Sequence, residues 1–238
     1  MKGKEYRGPD SKTVQQMFAG IAHRYDFLNH FLSASIDRRW RAVAAGKVRD
    51  LVGGSPAICL DACSGTGDLA IALNQSLETR VIASDFCHPM LTRANGKFGG
   101  LGIQTIEADA LQLPFPDGSF DALTIAFGLR NLEDLSRGLS EIRRVLKPRG
   151  AAVILEFSKP VVPVFSHVFN FYFRYILPLL GAIVSGDAHA YRYLPDSVRK
   201  FPNQGELLEL MRRTGFAETG YRNLSAGIAA LHWGRASE

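Results

Sequence analysis

The sequence predicts an α/β fold built on a seven-stranded, mostly parallel sheet. Three observations lead there. Short β-rich apolar runs alternate with helical patterns through the middle of the chain. A glycine-rich turn, Ser64-Gly-Thr-Gly67, joins the first run to the first helix of that series. Two late apolar runs, near 216–223 and 226–233, read as an antiparallel hairpin at the sheet edge.

The elements follow in order. Ala57-Ile-Cys-Leu-Asp-Ala62 is the first strand, and a helix runs from Asp68 to about Leu77. Residues 80–85 form the second strand, followed by a helix over about 89–98 with Pro89 in its first turn, where proline is tolerated best. Residues 103–108 are the third strand. Residues 120–127 form a nearly continuous apolar run, as expected of a central strand covered on both faces. A helix over about 135–146 is stopped by Lys147-Pro-Arg-Gly150, and residues 151–157 make the fifth strand. After a long excursion, 204–214 reads as an amphipathic helix.

Two regions stand outside this alternation. Residues 1–50 hold two expected helices, at about 12–31 and 37–52. Residues 158–202 carry an aromatic-rich apolar stretch with five prolines. The expected organisation is therefore a single domain with four parts: a helical cap over 1–50, a cofactor-binding core over 51–157, an apolar cap insertion over 158–202, and a terminal helix and hairpin over 203–238. A chain of 238 residues, 46% hydrophobic and 21% charged, suits such a domain.

Charge is unevenly placed. Residues 1–50 contain ten Lys/Arg against five Asp/Glu, while the remaining 188 residues balance at 18 against 18. A basic N-terminal region suits a solvated surface, nucleic acid or an anionic membrane surface equally. Cys59, Cys63 and Cys87 are too few and too irregularly spaced for a disulfide framework or a zinc site. A reducing cytosol is the expected compartment, and the polar N-terminus lacks the apolar core of an export signal.

Ligands of open α/β sheets bind where the strands end and the topology switches, which directs attention to the loops after Asp61, Asp85, Asp109 and Phe127. In Asp61-Ala-Cys-Ser-Gly-Thr-Gly-Asp68, Gly65 and Gly67 permit a tight turn and a close backbone approach by a ligand. The same residues satisfy the dinucleotide pattern G-x-G-x-x-(G/A), with Asp85 placed 18 residues beyond Gly67 to hold a ribose. Three features favour another cofactor. Acids end three successive strands (Asp61, Asp85, Asp109), which suits a sulfonium with a free amino group better than a pyrophosphate. Only one more crossover and a hairpin follow, not a second mononucleotide-binding half. No His or Tyr-x-x-x-Lys pattern offers a hydride-transfer site.

Beyond these features, Asp61-x-x-x-Gly-Thr-Gly67, Asp85, Asp109-Ala110 and Leu113-Pro-Phe-Pro-Asp-x-x-Phe-Asp121 resemble the class I, seven-stranded methyltransferases. More narrowly, Phe127-Gly-Leu-Arg-Asn131, Arg144-Val-Leu-Lys-Pro148, Leu155-Glu-Phe-Ser-Lys-Pro160 and Tyr191-x-Tyr-Leu-x-x-Ser197 are similar to the UbiE/MenG family. The resemblance spans about residues 12–235. It implies S-adenosyl-L-methionine as cofactor, with contacts at Thr66, Asp85, Asp109 and Ala110, and Asp61, Gly65 and Gly67 in the loop. It implies C-methylation of demethylmenaquinol in menaquinone biosynthesis, with a ubiquinone-pathway benzoquinol as the close alternative. The partner is then a prenylated quinol rather than nucleic acid, and a peripheral contact with the inner face of the membrane becomes an expectation. No metal is required.

Arg130 and Asn131 are the catalytic candidates. Arg130 would stabilise a phenolate or serve in a structural ion pair; Asn131 would bind a ring oxygen or cap the following helix. Tyr25, Asn29 and Tyr191 are candidate substrate contacts, with Tyr193 beside them, and His23 and His189 could titrate near neutrality. The apolar stretch at 165–184 is too interrupted for a clean membrane span and reads as a buried helix or a wall for the prenyl tail. The general base and the oligomeric state stay open.

Overall fold

The computed structural model describes residues 6–33, 35–53, 57–77, 79–162 and 188–237. Seven strands form one sheet: β1 (Ala57–Ala62), β2 (Thr79–Asp85), β3 (Gln104–Glu107), β4 (Phe120–Ala126), β5 (Leu146–Phe157), β6 (Phe216–Leu224) and β7 (Ala229–Ala236). Their spatial order is β3-β2-β1-β4-β5-β7-β6. β1 to β5 pair in parallel, and β7 runs antiparallel to both β5 and β6. The expected sheet, with its antiparallel C-terminal hairpin, is observed.

Successive residues of a central strand feed opposite faces. In β1, Cys59 joins the core under α3 (Ile36–Val52) and α4 (Asp68–Ser76), built from Trp40, Val48, Leu69 and Leu73. Its neighbour Leu60 joins the other core, under α6 (Leu135–Val145) and α8 (Gln204–Arg213), with Leu139, Ile142, Leu207 and Met211. Both cores are built from buried apolar residues, which explains the unbroken apolar strands. The carboxyl ends of β1, β2 and β4 all point to one edge of this sandwich. The chain reverses there between β1 and β4, leaving the crevice expected at a topological switch point.

Several boundaries differ from expectation, each for a local reason. The helix expected over 12–31 is two helices, α1 (Ser11–Ile21) and α2 (Tyr25–Leu32), separated by a short 3₁₀ turn at Ala22–Arg24. Tyr25, the first residue after that break, packs against the cluster of Ala22, Cys87 and Met90. β5 begins at Leu146, so Lys147 to Gly150 belong to the strand that follows α6. The hairpin's second strand starts at Ala229, not Ala226, because Ser225, Ala226 and Gly227 all take positive φ and form a turn. α7 (Ala188–Lys200), with Pro195 inside it, occupies the end of the apolar insertion. The stretch at 165–184 lies outside the described residues. α5 (His88–Lys97) carries Pro89 in its first turn, as expected.

Gly67 shows why the loop needs glycine. Its φ is +85°, and a Cβ there would lie 2.3 Å from the Phe98 ring. Gly67→Ala is expected to cost about 2–3 kcal/mol from strain and overpacking, visible as a shifted urea midpoint; an unchanged midpoint would remove Gly67 from this role.

Candidate active site: an acid-lined cleft under the N-terminal cap

The loops after β1, β2, β3 and β4, together with α1, α2 and α3, enclose a cleft of about 860 Å³, open mouth included. Asp61, Gly65, Thr66, Asp85, Asp109 and Ala110 all line it, so the sequence-predicted cofactor residues converge on one site. Gly67 does not line it; its backbone carries the turn into α4.

Asp85 ends β2 beneath the glycine loop. Its Oδ2 accepts from the Gly65 amide and its Oδ1 from the Cys87 amide, each at 2.8 Å. Burial pushes its pKa up to about 6, against the lowering effect of those amides. Asp61 lies deeper, and burial pushes it up to about 7. Its Oδ1 accepts from Thr124 Oγ1 at 2.6 Å, whereas its buried Oδ2 has no hydrogen-bond partner among the described residues. The buried Ser64 hydroxyl is unpartnered as well. Both sit at the cleft wall, where a polar ligand would satisfy them.

Ser64 has an ordinary φ, and Cys63 (φ 51°) and Gly65 (φ 56°) take the left-handed positions. Asp109 accepts from the Leu111 amide at 2.9 Å, an Asx turn that aims the carboxylate at the cleft. Phe127 closes the β4 edge with φ 58°, a strained conformation for a bulky residue.

Of the catalytic candidates, Asn131 lines the cleft and Arg130 sits behind it. Asn131 does not cap α6: Asp134 does, accepting from the Arg137 amide at 2.9 Å. Asn131 instead accepts from the Tyr193 hydroxyl at 2.6 Å and donates to the Phe127 carbonyl at 3.3 Å. Arg130 is buried in an ion pair with Glu156 at 2.9 Å, its guanidinium 5.5 Å from the Phe157 ring. Tyr6 fixes the same turn by donating to the Arg130 carbonyl at 2.6 Å.

Tyr25 lines the cleft, edge-on to Phe18 at 5.8 Å. Asn29 is hydrogen-bonded to its hydroxyl and does not line the cleft itself. His23 is exposed, and the side chains of Tyr191 and His189 lie outside the described residues.

Sequence reasoning missed an ion cluster that ties the cap to the glycine loop. Thr66 donates its hydroxyl to Asp26 of α2, and Lys97 of α5 bridges Asp26 and Asp68. Arg41 of α3 pairs with Asp37 and approaches Asp68 at 3.7 Å; His30 stands 2.9 Å from Asp37 and 3.8 Å from Asp68. His30, Asp37 and Asp68 offer closely spaced ligand atoms, but Arg41 and Lys97 already balance these carboxylates. A signal existed: Asp37 and Arg41 fall on the buried stripe of α3 with Trp40, Ala44, Ala45 and Val48.

Comparison with known proteins accounts for this arrangement. A family model described as the ubiE/COQ5 methyltransferase family matches residues 6–236. The chain belongs to the ubiE/COQ5 methyltransferase family. It is 48% identical over 223 residues to the demethylmenaquinone methyltransferase of Deinococcus radiodurans, covering 92% of this chain and 91% of that one. It is 44% identical over 227 residues to the ubiquinone/menaquinone biosynthesis C-methyltransferase UbiE of Geobacter sulfurreducens, covering 93% and 87%. The fold matches a solved SAM-dependent methyltransferase from Thermotoga maritima at TM-score 0.62 and 17% identity, covering 93% of this chain and 99% of that one. The [4+2]-cyclase SpnF matches at TM-score 0.71 and 17% identity, covering 98% and 99%. A fold shared with a cyclase shows why function must be argued from the site. Within this family, the methyltransferase reading stands over the dinucleotide-binding alternative.

Proposed function

We propose that this ubiE/COQ5-family enzyme transfers a methyl group from S-adenosylmethionine to a ring carbon of demethylmenaquinol, giving menaquinol. The observation that carries the cofactor assignment is the unpartnered Asp61 Oδ2 and Ser64 hydroxyl at the wall of an acid-lined cleft. Those groups suit a ligand with a cationic amino end. The quinol assignment rests on the relatives named above and on the apolar wall formed by Val14, Phe18, Met90 and Phe127.

S-adenosylmethionine supplies a methyl group on a sulfonium, whose leaving group is a neutral thioether. The chain's task is therefore alignment and electrostatics. Asp85 would accept from the two ribose hydroxyls and Asp109 from the adenine amino group, with the Ala110 backbone beside it. Thr66 would exchange its contact with Asp26 for one to the cofactor. At the reacting end, burial holds the Tyr25 pKa above its usual value, against the lowering effect of the Asn29 hydrogen bond and of the Arg130 and Arg41 charges. A quinol hydroxyl beside Tyr25 would meet the same two cations, which favour the electron-rich phenolate that carbon methylation needs against the burial that disfavours it. Asn131, held by Tyr193 and Phe127, would donate to a ring oxygen.

Two outcomes follow. Asp85 must be ionised to accept both ribose hydroxyls, and its pKa stands at about 6. Affinity for S-adenosylhomocysteine should therefore begin to fall near pH 7, where Asp61 starts to lose its charge, and fall by tenfold per unit or more below pH 6 as Asp85 follows. Calorimetry across pH 5–8 checks this, with proton release expected near pH 6; a flat profile contradicts the role of Asp85.

The second concerns the membrane. No helix among the described residues is long and apolar enough to cross one. The cap presents Phe27 (60% exposed) and Ile36 (38% exposed) with the exposed Arg38 and Arg39 following. Peripheral contact through this surface would bring a prenylated substrate to the cleft. The protein should pellet with phosphatidylglycerol vesicles, and R38E/R39E should abolish this. Absence of wild-type pelleting contradicts the membrane contact.

The reaction itself is tested by comparing acceptors. Turnover is expected with reduced demethylmenaquinone, little with its oxidised form, and less with a demethylated benzoquinol. Preference for the oxidised ring would contradict the phenolate account.

A further inference from the structure

We infer that Arg41 holds the carboxylate at the methionine end of the cofactor, an inference that rests on the S-adenosylmethionine reading above. The cleft's charge pattern carries the argument. Four carboxylates line it (Asp61, Asp68, Asp85 and Asp109), and Arg41 is the sole cation among the described lining residues. The cofactor is cationic at its sulfonium and amino group and anionic at one place only. An acid-lined cleft welcomes the first two anywhere, but it tolerates a carboxylate only beside Arg41.

The geometry supports this placement. Arg41 comes from the cap, side chain 9% exposed, with its guanidinium 5.7 Å from the Phe127 ring at the β4 edge of the cleft. Its charge reaches Asp61, whose pKa it lowers, so the acceptor proposed for the amino group and the donor proposed for the carboxylate are neighbours. That matches an amino acid end, whose two charged groups share one carbon. Among the described residues, every polar contact of Arg41 runs through Nη1, to Asp37 and Asp68. The rest of the planar fork remains for a bidentate carboxylate.

Asp37 is the positioning residue. It receives the Ser33 hydroxyl at 2.7 Å and faces His30 Nδ1 at 2.9 Å, and so anchors the guanidinium from the cap side. Lys97 meanwhile neutralises Asp68 from the α5 side, reducing its repulsion of an incoming carboxylate. Cap and cofactor are thereby coupled: the ligand's carboxylate docks on a residue that the cap supplies.

The test compares two ligands that differ by that carboxylate alone: S-adenosylhomocysteine and its decarboxylated analogue, measured by calorimetry at pH 8. The wild type should prefer S-adenosylhomocysteine. Arg41→Gln should weaken it by roughly 10- to 100-fold, the loss of a charge-assisted pair. Affinity for the decarboxylated analogue should stay within about twofold. Arg41→Lys, which keeps the charge without the fork, should fall between and shows the same selectivity should R41Q fail to fold. Equal loss for both ligands would overturn the inference, because Arg41 would then only shape the cap. No loss for either would overturn it too. Neither result touches the cofactor reading, which fails only if the wild type binds no S-adenosylhomocysteine.

Discussion

Asp85→Ala is expected to weaken S-adenosylhomocysteine binding by roughly 10²- to 10⁴-fold while leaving a folded protein. The carboxylate would accept two charge-assisted hydrogen bonds from the ribose diol, each worth about 1.5–3 kcal/mol. It also fixes the loop itself through the Gly65 and Cys87 amides, both at 2.8 Å. Removing it therefore loses the acceptor and loosens the cradle together. Asp85→Asn retains one acceptor of similar shape and should lose less. Calorimetry on both variants, with circular dichroism as the folding control, measures the effect. A D85A protein that binds within tenfold of wild type would place the ribose elsewhere.

The second large effect is on stability. Glu156→Ala should destabilise the protein by about 3–5 kcal/mol, because it strands the buried Arg130 cation. Glu156 Oε1 accepts from Arg130 Nη1 at 2.9 Å and from the Phe157 amide at 2.8 Å, and Oε2 accepts from the Arg130 amide at 3.1 Å. Side-chain exposures of 6% and 1% leave water little chance to replace these bonds. For a chain of this size the melting temperature should fall by roughly 6–20 °C. Replacing both partners with apolar residues, R130M/E156L, should recover much of the stability and still impair turnover, since the field on the phenolate is lost. A Glu156→Ala variant less than 1 kcal/mol below wild type in urea unfolding would show that the pair is not buried in solution.

The core of this fold was legible because its signals are local. β1 and β4 read as apolar runs since both faces are covered, and each acid-terminated strand end sits next to its own turn. The cofactor residues were legible for the same reason: Gly65, Thr66 and Asp85 act within the elements that name them. What escaped was tertiary. Thr66 finds Asp26 forty residues away, and Asn131 finds Tyr193 across 62. No periodicity encodes such meetings. The break between α1 and α2 and the offset of β7 depend on backbone conformations, among them positive φ at Ser225 and Ala226, that the residue types do not demand. Arg41 was half legible: its place on an apolar helical stripe signalled a buried charge, but its partner carboxylates lie partly on α4.

The central claim is that this cleft joins a sulfonium methyl donor to a quinol carbon. The most direct measurement is incubation with S-adenosylmethionine labelled ¹³CD₃ at the methyl group and reduced demethylmenaquinone, with the product read by mass spectrometry and NMR. The account predicts one intact ¹³CD₃ group on the ring carbon and one S-adenosylhomocysteine per methylated quinone. Label on a quinol oxygen, or no transfer by a protein that binds S-adenosylhomocysteine normally, would contradict it.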